Sequence, residues 1–216
     1  GLNRAFVAQG LKVLARRDRA GLAALLEVAG AKDTPSAHTL GFLLGPRINA
    51  SGRIAEADLG LRLLLEDDPV EARAMAETLD AVNKRRQEVE ADVLGAALAA
   101  AERQAERGHP VLLVLGEGWH PGVVGIVAGR IKERFNRPAL VAGLSGGLAK
   151  GSGRSVPGVD LGAAIIAARQ SGLLETGGGH AMAAGFSFQA AREGELHAFL
   201  DERLNHAAAL PGDRAR

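Results

Sequence analysis

Two glycine-rich stretches carry the residue types that could bind phosphate. The first, Lys-Gly-Ser-Gly-Arg-Ser from Lys150 to Ser155, combines two cations with two hydroxyl groups. Closely spaced glycines let a backbone turn successive N–H groups toward an anion, and cationic side chains add charge. The second stretch, from Thr176 to Ala181, has three consecutive glycines followed by His180. We therefore predict a phosphate site built from these two stretches.

The glycines themselves support this prediction. Gly146 and Gly147 already supply a turn before the first stretch, so Gly151 and Gly153 favour close approach of a ligand instead. Three consecutive glycines cost roughly 1 kcal/mol each in chain entropy relative to alanine, which indicates a ligand or a crossing strand beside them. The alternatives are a hairpin with solvated charges and a plain glycine linker. The predicted contacts are Lys150, Gly151, Ser152, Gly153, Arg154, Ser155, Gly178, Gly179 and His180.

A third segment, Gly116 to Gly122, joins a predicted strand to a predicted helix. Phosphates often meet the positive end of a helix at such a junction. The segment presents Trp119, which could equally be a packing residue, and His120, whose ring could meet a phosphate oxygen or orient a partner. Both are predicted ligand contacts.

A fourth segment follows Gly45-Pro46, which we interpret as a break at the end of an apolar run. It presents Arg47, Asn49 and Arg53. Each alone could be a helix cap or a surface charge. Together they form a candidate second wall of the site.

The apolar spacing predicts the elements that position these residues. Two helices are expected between Asn3 and Ala29, and an uninterrupted spacing of three and four residues predicts one long helix over 69–107 that bridges two domains. Two helices broken at Gly95 are the alternative. From 108 onward short apolar runs alternate with helical patterns, which is typical of an α/β domain with a central mixed sheet. The fold class is therefore α/β, with a helical segment over 1–68 and a disordered tail over 207–216.

The composition excludes several classes of site. The chain has no cysteine, and its 26 Lys and Arg residues nearly balance 25 Asp and Glu, so nucleic-acid binding must come from locally clustered charge. Its six histidines look scattered, and no carboxylate cluster, Ser-His-Asp set or Walker loop is evident, so we expect no metal site on this chain. No apolar run is long enough to span a bilayer, and we expect a cytoplasmic protein without membrane contact. The absence of an initial methionine suggests a piece of a longer protein.

Four motifs together resemble the RecJ-type single-strand-specific DNA exonucleases of the DHH/DHHA1 phosphoesterase family. They are GFLLGPRINASGR from Gly41, GWHPGVVGIVAGRIKERFNRP from Gly118, KGSGRS from Lys150 and GGGHAMAAG from Gly177. The resemblance covers nearly the whole chain, and the combination is specific although GGGH alone is widespread in the superfamily.

The resemblance implies a DHHA1 domain over 108–206, preceded by the last helical part of a DHH domain. The DHH motifs that bind Mn²⁺ or Mg²⁺ are absent from this sequence, so the chain is expected to be inactive alone and to bind the substrate. By position, Ser152 and Arg154 would hold the 5′ phosphate or nearby backbone, His180 would support catalysis from the scissile side, and Arg47 and Asn49 would lie near the metals.

The implied reaction is metal-dependent hydrolysis of single-stranded DNA from the 5′ end, in DNA repair and recombination. Helicases and single-strand-binding protein are the partners that the resemblance suggests. Two alternatives stay open: a DHH-family enzyme that cleaves short oligoribonucleotides or cyclic dinucleotides, and a nucleic-acid-binding module without chemistry.

Overall fold

A computed structural model of the chain describes residues 1–208. The chain divides into two compact units, Gly1–Glu88 and the part from Val89 onward, so the division falls within one helix. The predicted disordered tail begins at Ala207, but Ala207 and Ala208 end a helix and the remainder lies outside the described residues. No helix of the described part is long and apolar enough to cross a membrane. The cytoplasmic location stays a prediction.

The first unit is built from short helices around an aliphatic core. As predicted, two helices precede residue 29, and a left-handed Arg17 ends the first of them. Leu25, Leu26, Leu63 and Leu79 are fully buried in the core. The helices are α1 (Leu2–Arg16), α2 (Ala20–Val28), a π-helix (Thr39–Leu44), α3 (Gly45–Ile54) and α4 (Leu59–Leu65).

The Gly45-Pro46 step is not a break, which corrects the sequence-based interpretation. The π-helix runs directly into α3, and Pro46 is the second residue of α3, where the fixed φ of proline is compatible with a helix. Arg47, Asn49 and Arg53 are therefore helical residues rather than loop residues.

The predicted long helix is confirmed as α5, Pro69–Glu106, with 38 residues. At 1.5 Å per residue it is about 57 Å long. Asp68 caps it by accepting hydrogen bonds from the N–H groups of Val70 (2.8 Å) and Glu71 (3.1 Å). The helix continues without interruption through Gly95, so the alternative of two helices is wrong.

The second unit is an α/β domain, and the predicted fold class is confirmed. Its five strands form one mixed sheet in the order β1-β2-β3-β5-β4, in which only β1 and β2 are parallel. The end of α5 and α6 pack on one face of the sheet, while α7 and α8 pack on the other. The elements are β1 (Leu112–Glu117), α6 (Pro121–Phe135), β2 (Ala139–Ser145), β3 (Leu148–Arg154), α7 (Leu161–Gln170), β4 (Thr176–His180), β5 (Ala183–Gln189), a 3₁₀ turn (Ala190–Arg192) and α8 (Glu193–Ala208).

Strand β3 is a central strand, which corrects the picture of an anion cradle made of backbone N–H groups. It pairs with β2 on one side and β5 on the other along its whole length from Leu148 to Arg154. Its N–H groups are committed to these two ladders. Any ligand contact from this stretch must come from its side chains.

Candidate phosphate-binding site

One side of β3, β5 and β4 gathers the predicted phosphate contacts of the second unit. Successive side chains of a strand point to opposite faces, so the pairing register fixes which residues share a face. We call this side the open sheet face, and none of its nine residues is acidic. They are Lys150, Ser152, Arg154, Ala183, Gly185, Ser187, Thr176, Gly178 and His180.

Two rows of the register define the geometry of the open sheet face. Arg154 pairs with Ala183, which pairs with His180. The Cα atoms of Arg154 and His180 are therefore roughly 10 Å apart, two strand spacings, with only a methyl group between them. The next row runs from Ser152 through two glycines on β5 and β4. Small residues thus lie between a cation on one side and a histidine on the other.

Arg154 is half-buried and makes no ion pair within residues 1–208. Its Nη1 donates to the Gly153 carbonyl oxygen at 2.9 Å. Its Nη2 lies 3.0 Å from the position that a Cβ on Gly125 of α6 would take, so the absence of a side chain there makes room for the guanidinium. A guanidinium has five N–H donors, so most of them remain for a ligand.

Gly178 and Gly185 form a flat floor on the open sheet face. They are cross-strand partners on β4 and β5, and a Cβ on either would meet nothing within 4 Å. A ligand can therefore approach the backbone here. Gly185 was not among the predicted contacts. The alternation of small residues from Ala181 to Gly185, one strand after the three glycines, is the sequence signal that could have identified it.

The glycines of β3 have a different explanation from the predicted one. A Cβ on Gly151 would lie 2.4 Å from the Val141 carbonyl oxygen, and a Cβ on Gly153 would lie 2.7 Å from Leu161 Cδ2. Both point into the core beneath α7 and α8 rather than toward the open sheet face. Their small size is required by packing within the protein, and the prediction of close ligand approach at these two positions is wrong.

The three consecutive glycines of β4 also differ in whether a side chain would meet other atoms of the protein. A Cβ on Gly177 would meet Leu174 and Ile165 of the core at about 3 Å, and a Cβ on Gly179 would lie 2.4 Å from the Ala183 carbonyl oxygen. Gly179 also has a φ of 159°, so β4 and β5 require glycine there. Only the middle glycine of the three faces open space.

His180 and Lys150 are exposed on the open sheet face. The ring of His180 has no hydrogen-bond partner, and Lys150 has no carboxylate partner, within residues 1–208. Ser155 differs, because it is buried and its hydroxyl donates to the Val159 carbonyl oxygen at 2.8 Å. It stabilises the turn after β3 and is not oriented as a ligand contact.

Trp119 is a packing residue in this structure. A Cβ on Gly116 would lie 1.9 Å from the indole ring, and a Cβ on Gly143 would lie 2.0 Å from the Trp119 carbonyl oxygen. These two glycines are paired on β1 and β2, so together they accommodate the half-buried tryptophan at the end of the strands. A substrate contact from Trp119 stays a prediction.

His120 caps α6 instead of leaving the helix end open to an anion. Its Nδ1 accepts a hydrogen bond from the Gly122 N–H at 3.0 Å, and its carbonyl oxygen accepts from the Val123 N–H at 3.0 Å. Pro121 has no N–H to offer. The positive end of α6 is therefore largely satisfied from within, although His120 itself is exposed.

Arg47, Asn49 and Arg53 belong to the first unit and lie on α3. Arg47 is committed locally, because its Nε donates to Asp80 at 2.8 Å and its Nη1 donates to the Leu43 carbonyl oxygen at 2.7 Å. It anchors α3 to α5 rather than presenting a free cation. Asn49 and Arg53 are exposed and line an open groove of ≈ 510 Å³ between α3 and α4.

The Arg47–Asp80 pair makes a prediction for stability. Burial alone would raise the pKa of Asp80, but hydrogen bonds and charges from Lys84 and Arg47 outweigh it and lower the pKa. The side chains are only 16% and 12% exposed, so we expect Asp80→Asn to cost about 1–3 kcal/mol near neutral pH. Because the folded-state pKa is lowered, this stabilisation is present above the unfolded-state value of about 3.9 and is lost as pH falls through the folded-state value.

Urea unfolding followed by far-ultraviolet circular dichroism at pH 7 and pH 3 measures this difference. Glu88→Gln is the matched control, because Glu88 pairs with Arg85 on the surface of the same helix, where such a pair contributes little. An Asp80→Asn penalty that is equal at both pH values, or no larger than that of the control, would contradict the prediction.

The open sheet face has no set of metal ligands. The one group of at least three His, Asp or Glu side chains close enough to share an ion, within residues 1–208, is His109, His197 and Asp201. His197 and Asp201 lie on α8, which packs on the opposite side of the sheet. The residues around Arg154 therefore do not fit a catalytic divalent cation. The group also corrects the expectation that the histidines are scattered.

Comparison with known proteins finds similar sequences for much of this chain. The DHHA1 domain family matches residues 108–206. The single-stranded-DNA-specific exonuclease RecJ of Dickeya dadantii is 45% identical over 195 residues, which are 86% of this chain and 34% of that protein. The chain thus spans about a third of that relative.

Solved structures agree with the sequence comparison. The Mg²⁺ complex of RecJ from Thermus thermophilus superimposes with a TM-score of 0.84 at 36% identity, covering 98% of this chain and 32% of that one. An exonuclease RecJ bound to manganese gives a TM-score of 0.81 at 36% identity, covering 98% of this chain and 51% of that one. The resemblance seen in the sequence motifs is confirmed.

Proposed function

We propose that the chain, whose residues 108–206 match the DHHA1 domain family, is the substrate-binding part of a RecJ-like single-strand-specific DNA exonuclease. The proposed reaction is metal-dependent hydrolysis of phosphodiester bonds from the 5′ end of a strand. The observation that carries the proposal is the half-buried Arg154, which lies beside the Gly178–Gly185 floor and has no acidic partner within residues 1–208. A phosphate supplies the missing negative charge, and the floor admits its sugar.

In this proposal the polar residues of the open sheet face have different roles. Arg154 donates charge-assisted hydrogen bonds to a backbone phosphate. Ser152, which is on the same strand β3 and lies against Gly125 of α6, adds a hydroxyl. Lys150 adds charge without fixed geometry. His180 meets the next part of the strand from the β4 side and supports the reaction there. None of these contacts reads a base, so the binding selects no sequence.

The catalytic cations belong elsewhere in the proposed enzyme. Mg²⁺ and Mn²⁺ accompany the similar RecJ structures, but the open sheet face offers no carboxylate set to hold them. We propose that a DHH domain, in the portion of such proteins that this chain does not span, binds the metal. The chain's own residues bind and orient the strand.

The groove over α3 and α4 is the proposed second contact with the strand. Asn49 and Arg53 line it, and Arg47 supports it through Asp80. The exposed amide and guanidinium groups suit phosphate and sugar oxygens. Helicases and single-strand-binding protein are proposed partners by family resemblance, and no residue described here is assigned to them.

The alternative is a nucleic-acid-binding module that takes part in no reaction. For the isolated chain both proposals predict binding without cleavage, so the decisive comparison is between ligands. We expect the 216-residue chain to bind a 5′-phosphorylated single strand more tightly than the same sequence as a duplex or with a 5′ hydroxyl group. Fluorescence anisotropy with labelled oligonucleotides at several salt concentrations measures this, and affinity should fall steeply with salt.

A general binding module would not distinguish the 5′ phosphate. Equal affinity for the two 5′ ends would therefore favour the module, and tighter binding of the duplex would contradict the proposal of a single-strand-specific exonuclease. Release of mononucleotides by the isolated chain with Mn²⁺ would overturn the assignment of the catalytic metals to a separate domain.

A further inference from the structure

A second constellation of chemically active side chains lies away from the open sheet face. His109 lies in the segment between α5 and β1, while His197 and Asp201 are one turn apart on α8. The His109 Nδ1 is 2.5 Å from one carboxylate oxygen of Asp201, and the His197 Nε2 is 3.6 Å from the other. The two imidazole rings stack with their centroids 4.4 Å apart. Three potential ligands therefore converge on one point.

One atom of this group accepts no hydrogen bond from the residues that the structure describes. The Oδ1 of Asp201 is buried and accepts no hydrogen bond within residues 1–208, although its side chain as a whole is 21% exposed. Leaving a buried acceptor without a donor is unfavourable. The His197 Nε2 does not correct this, because it donates to the Val111 carbonyl oxygen at 2.9 Å. The carboxylate of Asp201 therefore has an unsatisfied acceptor oxygen beside the two imidazole rings.

We propose that His109, His197 and Asp201 bind a divalent transition-metal ion, with Zn²⁺ as the preferred ion. Two imidazoles and one carboxylate suit zinc and its neighbours, whereas Mg²⁺ and Mn²⁺ prefer sites made of oxygen. The ion replaces the proton between His109 and Asp201 and gives the unpartnered Oδ1 a positive neighbour.

The geometry needs only small movements to accept the ion. All three donor atoms lie within 4.8 Å of one another, and donors of a tetrahedral zinc site are roughly 3.3 Å apart at bond lengths near 2 Å. His197 releases the Val111 carbonyl oxygen and carries its proton on Nδ1, which frees the lone pair of Nε2. A water molecule takes the fourth position.

The role of this site is structural. Val111, Leu196 and Leu200, which flank the three ligands in sequence, belong to the core on the α7 and α8 side of the sheet. A bound ion would fasten α8 to the segment that enters β1. It would stabilise the second unit without contacting a strand on the open sheet face.

The test uses the untagged 216-residue chain freed of metal. We expect calorimetric titration to show one Zn²⁺ site, which Mn²⁺ does not fill, and Co²⁺ to give the visible absorption of a four- or five-coordinate ion. Asp201→Asn should lower Zn²⁺ affinity about tenfold or more. Glu202→Gln, which removes an exposed carboxylate from the same turn of α8, should leave it unchanged.

A second measurement does not depend on a variant that folds. Zn²⁺ should shift the imidazole carbon and proton resonances of His109 and His197 in the wild-type chain, while His38, His120 and His180 stay unchanged. Absence of shifts at His109 and His197, or equal affinity of the Asp201→Asn and Glu202→Gln variants, would overturn the proposal. Competition by equimolar Mn²⁺ would overturn the choice of metal class.

Discussion

Arg154→Ala should weaken binding of a 5′-phosphorylated single strand by about 10- to 100-fold at low salt. A hydrogen bond to a charged partner contributes about 1.5–3 kcal/mol, and a factor of ten corresponds to about 1.4 kcal/mol. The guanidinium is held in place, because Nη1 is tied to the Gly153 carbonyl oxygen and Nη2 lies in the space left by Gly125. Little entropy is therefore lost when it meets a phosphate.

The salt dependence distinguishes a direct phosphate contact from a general loss of charge. Removing one phosphate contact should reduce the slope of log affinity against log salt by about 0.7 for a single strand. Arg154→Lys should recover only part of the affinity, since an ammonium group lacks the planar fork of donors. Anisotropy titrations at four or more salt concentrations measure both quantities.

Arg203→Ala is the charge-matched control for this experiment. Arg203 is exposed on α8, on the opposite side of the sheet, so its removal lowers the net charge by the same amount. We expect a change of less than twofold. Similar losses for Arg154→Ala and Arg203→Ala would mean that the strand responds to overall charge, and Arg154 would then be removed from the site.

The sequence predicted the helices and strands well because the apolar spacing reports directly on burial. The single helix through Gly95 is an example, since no proline interrupts its spacing of three and four residues. The break predicted at Gly45-Pro46 failed for a physical reason. Proline is acceptable in the first turn of a helix, and here a π-helix leads directly into that turn.

The candidate site was harder to predict because a glycine has two opposite uses. Gly151 and Gly153 leave room for the protein's own core, whereas Gly178 and Gly185 leave room for something outside it. The sequence does not distinguish these cases, because the distinction depends on which face of a strand is covered. The pairing register supplies that information.

The sequence also could not predict that His109 and Asp201 lie close together. His109 and Asp201 are 92 residues apart, and their contact depends on α8 packing beside the start of β1. A list of six histidines carries no sign of that packing. Only the i, i+4 spacing of His197 and Asp201 was visible, and that spacing is common on helix surfaces.

Gly185→Val should abolish measurable strand binding, with an expected loss of about 100-fold or more, while the folded structure is kept. A valine at this position would project from the open sheet face into space where nothing lies within 4 Å. β-branched residues are favourable in strands, so the free energy of unfolding should stay equal or rise slightly. The side chain would occupy the volume that we assign to the sugar and phosphate beside Ser152.

Two further glycine substitutions make this result specific. Gly194→Val on α8 also enters open space but lies away from the open sheet face, so it should leave both binding and stability nearly unchanged. Gly151→Ala forces a Cβ to within 2.4 Å of the Val141 carbonyl oxygen, so overpacking should cost about 1–3 kcal/mol of stability. Urea unfolding followed by the fluorescence of Trp119, the one tryptophan of the chain, reports stability in the second unit.

Substitution of a glycine on the open sheet face should therefore reduce affinity alone, and substitution of a glycine that faces the core should reduce stability alone. The Gly185→Val variant should remain folded but no longer bind single-stranded DNA. The Gly151→Ala variant should be less stable but, without urea, where it is folded, it should still bind the DNA. If Gly185→Val binds as tightly as the wild type, the strand does not cross the Gly178–Gly185 floor.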